Sequence, residues 1–116
     1  MTSHDLARAC ADAVRAKKGK DIVIMDLRGI SIIADYFVIC TGANNQQVTA
    51  ISDHIEEKLV QDESVSPLRI EGLKDARWVL MDYGSVVVHI FQEEERQYYN
   101  LERLWGDAKF TYFKEQ

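Results

Sequence analysis

One proline, two cysteines and three histidines are all that the 116 residues offer of the types that most often announce a stapled fold or a metal site. Cys10 and Cys40 form no CxxC pair, and their neighbours are apolar or small. Two reduced, buried thiols are expected rather than a disulfide framework. His4, His54 and His89 stand apart from one another and from both cysteines at any metal-binding spacing, so neither a metal nor a cofactor is expected. No apolar run exceeds strand length, and "MTSHDLARAC" has no apolar signal core. That excludes a membrane span and implies a cytoplasmic compartment. Positive charge is also short. Fourteen Lys and Arg face 19 Asp and Glu, a net charge of −5, which argues against direct nucleic-acid readout through phosphates and suits a basic protein partner.

What is present reads as one soluble α/β domain. Hydrophobic residues make up 47% of the chain and charged residues 28%. A chain of this size buries roughly 65% of its unfolded surface, enough for one core without staples. "TSHDLARACADAVRAKKG" has helical spacing at Leu6, Ala9, Cys10, Ala13 and Lys17, a Thr2–Asp5 capping box and Gly19 as its stop. "DIVIMD" and "YFVICT" are apolar strands, the second covered on both faces. "GANNQQVTAISDHIEEKLVQD" is a second helix, capped by Asn44, with Val48, Ile51, Ile55 and Leu59 buried. Pro67 opens a short edge strand, "PLRIEG". "ARWVLMD" and "SVVVHIF" form an antiparallel hairpin around Tyr83-Gly84. "QEEERQYYNLERLWGDA" is one helix or two short turns, with Tyr98, Leu101 and Trp105 on one face, and residues 109–116 read as a tail. The expected order is α-β-β-α-β-β-β-α, a mixed five-stranded sheet flanked by helices, with residues 1–108 as the domain.

Few constellations could carry chemistry. The "TGANN" turn between a strand and a helix could present N–H groups to a phosphate, but it has one glycine and no following lysine. A nucleotidyltransferase needs two carboxylates one residue apart on the next strand to hold Mg²⁺, and no D-x-D or D-x-E occurs on any strand here. Glu93 to Glu95 suit the first turn of a helix. His89, alternating with Val87 and Phe91, reads as a satisfied structural histidine. The hairpin remains. Its first strand carries large side chains on both faces, Trp78 and Leu80 one way, Arg77, Val79 and Met81 the other. One face is expected to pack on a helix and the other to stay partly exposed. Tryptophan, tyrosine and methionine are enriched where proteins bury one another. Glu71, Asp75 and Asp82 would suit a basic partner, and the apolar hairpin also allows pairing with its own copy, a homodimer.

"DYFVICTG", "EGLKDARWVLMDYGSVVVHIF" and "RQYYNLERLWGDA" resemble the ribosomal silencing factor family, also called RsfS or Iojap-like, over nearly the whole chain. The resemblance implies a fold similar to a nucleotidyltransferase core without its catalytic metal site. It further implies no enzymatic reaction and docking on the large ribosomal subunit through its fourteenth protein. Docking would block association with the small subunit and repress translation under nutrient limitation, while organellar relatives act in large-subunit assembly. Carried over by position, the docking residues would be Trp78 as anchor, Tyr83, Val79 and Met81 beside it, and Lys74 and Asp82 at the rim. A degenerate, phosphate-binding nucleotidyltransferase-like enzyme is the alternative. The chain departs from the family pattern at "TGANNQQ", which is usually serine-rich with an arginine, and at Glu93, where proline is frequent.

Overall fold

The structure, a computed structural model, describes residues 1–113. Two helices come from the N-terminal half, α1 (Ser3–Ala16) and α2 (Asn45–Glu63), and two short ones follow the hairpin, α3 (Glu93–Tyr99) and α4 (Leu101–Leu104). The strands are β1 (Lys20–Asp26), β2 (Tyr36–Thr41), β3 (Arg69–Glu71), β4 (Trp78–Asp82), β5 (Val86–Phe91) and β6 (Lys109–Tyr112). They form one sheet in the order β3-β4-β5-β2-β1-β6. Only β2 and β5 run parallel; every other pair is antiparallel.

The sheet therefore has six strands where five were expected. Lys109–Tyr112, expected as part of a tail, pairs antiparallel with β1 and seats Phe110 against the core. Tyr112 on this edge strand is exposed, which hides the alternation that marks longer strands. Residues 114–116, the rest of that tail, lie outside the described residues.

Local chemistry explains the helices. Thr2 and Asp5 exchange side-chain to backbone hydrogen bonds across the start of α1. Leu6, Cys10, Ala13 and Val14 face inward, whereas Lys17, expected to continue the buried stripe, is exposed. Asn44 caps α2 by accepting from the Gln47 N–H, and Gln47 Nε2 donates back to the Lys17 and Lys18 carbonyls at the end of α1. Gly42 is required by packing, since a Cβ there would lie 2.7 Å from Val48 Cγ2.

Every residue of β2 and of β5 is buried, so both sheet faces need covers. α1 and α2 cover one face, over Ile24, Val38, Cys40, Val79, Met81, Val88 and Ile90. On the other face Val23, Met25, Phe37, Ile39, Val87 and Phe91 are covered by Leu101, Trp105 and Phe110. The final helical region is broken at Asn100, which adopts a left-handed conformation (φ 46°), ends α3 and caps α4 through its side chain. Tyr98 consequently leaves the face that Leu101 and Trp105 share and is exposed.

The turn entering β4 is tight. Gly72 has φ 91°, and a Cβ there would come within 2.0 Å of the Trp78 carbonyl oxygen. Gly29 also has positive φ (78°) but stands in open space. Gly29→Ala should cost about 1 kcal/mol of left-handed strain, and Gly72→Ala about 3 kcal/mol, because the neighbouring backbone must also move. Urea unfolding midpoints of the two variants check this difference.

Candidate functional site: the open face of the sheet

β4 answers the ambiguity of its sequence by alternation. Its burial pattern switches at each residue, with Val79 and Met81 fully buried under α2 and Trp78 and Leu80 half-buried on the opposite face. Met81 Sδ lies 3.7 Å from the Ser52 hydroxyl of α2. Val79 and Met81 are thus core residues and cannot share a surface with Trp78, because neighbours along a strand point to opposite faces. Tyr83, expected on the docking surface at the turn, is 8% exposed and packs into the helix-side core. Burial raises its pKa, and its hydroxyl has no hydrogen-bond partner among the described residues. Asp82 serves the turn, accepting from the Gly84 N–H at 2.8 Å and lying 3.3 Å from Arg69. Lys74 is exposed in the turn before β4. Trp78 and Lys74 therefore belong to one end of the strand and Asp82 to the other.

Other residues join Trp78 on the open face. Cross-strand register sets Phe91 opposite Trp78 and His89 opposite Leu80. The Trp78 ring stacks on Phe91 at 5.0 Å between centroids, and Tyr99 from the end of α3 lies against it at 4.6 Å. Tyr99 is 48% exposed and meets Tyr98, 79% exposed, edge to face, so an aromatic strip continues from β4 onto α3, and Leu104 of α4 is also exposed. Neither Tyr99 nor Leu104 stands out in the sequence. Adjacent tyrosines at the end of a short helix carry no periodicity that separates a surface strip from a core stripe.

Two buried polar residues hold this face in shape. Arg96 of α3 is 9% exposed and makes four side-chain hydrogen bonds. Its Nη1 donates to the Asp21 carbonyl at 2.7 Å and the Thr41 hydroxyl at 2.9 Å, while Nε and Nη2 form a fork onto the Glu102 carboxylate. The fork ties α3 to α4, and the two Nη1 bonds tie α3 to the ends of β1 and β2. His89 is 4% exposed, and its Nδ1 accepts from Trp78 Nε1–H at 3.1 Å. Its Nε2 has no partner among the described residues, so the histidine is half satisfied rather than fully. Burial lowers its pKa to about 4 and keeps it neutral.

The "TGANN" turn has a different use. Gly42 N–H bonds to the Phe91 carbonyl and Ala43 N–H to Gln47 Oε1, the Asn44 side chain accepts from Gln47 N–H, and Asn45 Oδ1 accepts from Gln92 Nε2. Among the described residues no group of three or more His, Cys, Asp or Glu is placed to hold a metal ion. No helix among them is long and apolar enough to cross a membrane.

Fold and site together define a small α/β protein with one helix-covered sheet face and one aromatic, partly open face. The same architecture occurs in a crystal structure of a Chromobacterium violaceum protein, at a TM-score of 0.87 and 32% identity, covering 98% of this chain and 94% of that one. The sequence profile described as "Ribosomal silencing factor during starvation" matches residues 1–116, and the chain belongs to the ribosomal silencing factor family. A relative from Halalkalibacterium halodurans, named "Ribosomal silencing factor RsfS", is 47% identical over 93% of this chain and 92% of its own length. A mouse relative, "Mitochondrial assembly of ribosomal large subunit protein 1", is 30% identical over 84% of this chain and 43% of that one.

His89 also makes stability depend on pH. The unfolded histidine takes a proton near pH 6.5, the folded one near pH 4. Between those values the unfolded state binds a proton that the native state refuses, so stability falls as pH drops through this window. From pH 7 to 4.5 the loss should be about 2–3 kcal/mol. Urea titrations at several pH values should show this slope, and His89→Gln should flatten it.

Proposed function

We propose that this chain is a ribosomal silencing factor that works by occlusion. In this reading it binds the large ribosomal subunit through the fourteenth protein of that subunit, on the surface that meets the small subunit. The bulk of the domain then keeps the subunits apart and lowers translation when nutrients are short. It acts in the cytoplasm and performs no reaction. The observation that carries the reading is the continuous aromatic strip formed by Trp78, Tyr99 and Tyr98 on the open face. Half-buried aromatics in a shallow apolar setting are the side chains that dominate protein–protein affinity. A strip of this kind, extended by a polar rim that includes Lys74, suits an interface of about 800 Å² per partner. The net charge of −5 favours a basic ribosomal protein. The family membership and the names of the relatives agree with the ribosome as partner. The same docking would serve a part in large-subunit assembly, the role in the mouse relative's name.

Co-sedimentation with isolated large subunits tests the docking. Trp78→Ala should weaken binding by about 30-fold or more, equivalent to about 2 kcal/mol, with an unchanged circular dichroism spectrum. Tyr99→Ala, at a more exposed ring, should weaken it by about tenfold. Undiminished binding by both variants would remove this face from the docking surface. Calorimetric titration with nucleotides and Mg²⁺ should be flat; a Mg²⁺-dependent signal would instead favour a phosphate-handling enzyme.

A further inference from the structure

Trp78 is held by more than stacking. Its indole N–H is turned inward to His89 Nδ1 at 3.1 Å, its ring lies on Phe91, and Tyr99 flanks the ring. His89 itself cannot move far. It sits in the middle of β5, is 4% exposed, and meets Phe37 edge to face at 4.5 Å. An aliphatic residue at this position would fit the surrounding core without burying a polar ring. The fold instead keeps an imidazole whose Nε2 finds no partner among the described residues, although a buried polar group left unpaired is unfavourable. Among the described residues, the one hydrogen bond that this imidazole makes is to Trp78.

We propose that His89 is the positioning residue of the docking face, an acceptor built into the sheet that holds the Trp78 indole flat on Phe91 with its N–H facing inward. The inference rests on the reading of Trp78 as anchor given above. It adds the chemistry of the partner surface at that point. An indole whose single donor is used internally presents only hydrocarbon. The partner should therefore meet the Trp78 ring with apolar, aromatic or cationic side chains that use its face, and not with a carbonyl or carboxylate that needs its N–H. Fixing the ring before contact also reduces the conformational entropy lost on binding.

Nuclear magnetic resonance of the ¹⁵N-labelled free protein tests the first half. A through-hydrogen-bond nitrogen–nitrogen coupling between Trp78 Nε1 and His89 Nδ1 is expected, with the His89 proton on Nε2. No coupling, or a proton on Nδ1, would overturn the proposal whether or not variants fold. Binding to isolated large subunits tests the second half. His89→Leu should weaken binding about five- to tenfold, the usual range for one lost hydrogen bond, and His89→Gln, which keeps an acceptor, should restore most of it. In a Trp78→Phe background, with no N–H to hold, His89→Leu should have no further effect on binding. A purely structural histidine would weaken both backgrounds alike, and that result overturns the proposal. If Trp78→Ala weakens binding and His89→Leu does not, the docking reading stands and the positioning role falls. If Trp78→Ala binds like the unaltered protein, the reading of Trp78 as anchor and the positioning role both fall.

Discussion

Strands β2 and β5 bury every one of their residues, and that two-sided burial is the constraint on which the rest of the molecule depends. A fully buried valine, isoleucine or phenylalanine contributes about 1.5–3 kcal/mol over an exposed one, so leaving either face of this pair in water would exceed the net stability of a small domain. The two covers are unequal. α1 and α2, of 14 and 19 residues, span the first face. The second face has only α3 and α4, of seven and four residues, helped by Phe110 of β6. Leu101 and the Trp105 that follows α4 close over the Phe37 side of this face, and Trp78 and Leu80 of β4 stay half covered. The open strip at Trp78 is the remainder of an incomplete cover.

Polar groups inside the second cover decide its shape. Arg96 joins α3 to the ends of β1 and β2 and to Glu102, a neighbour across the break at Asn100. Four hydrogen bonds from one nearly buried guanidinium hold α3 in place and with it the point where Tyr99 emerges. His89 does the same for Trp78 from within the sheet. Neither residue faces a partner itself, yet both set the geometry of side chains that can.

Much of this was legible in the chain. The Thr2–Asp5 box, the Asn44 cap and the uninterrupted apolar run of "YFVICT" each produced the element that local physics predicts. The sixth strand was not legible, because "KFTY" is short, lies at an edge and exposes Tyr112, so it has no periodic signature until β1 supplies its partner. Nor was the division of the hairpin. Trp78, Val79, Leu80 and Met81 are all large and apolar, and hydropathy cannot rank two faces of equal character.

By itself, then, the sequence determined the order of elements from α1 to β5, the two long helices, the buried central strands and, through its motifs, the family. Those follow from near-neighbour rules: caps, side-chain period and runs of apolar residues. Only the tertiary structure decided which face of β4 is open, that Val79, Met81 and Tyr83 are core, and that His89, Phe91 and Tyr99 gather around Trp78. Those depend on which helix is long enough to cover which face, and on cross-strand register, which brings together residues distant in the chain.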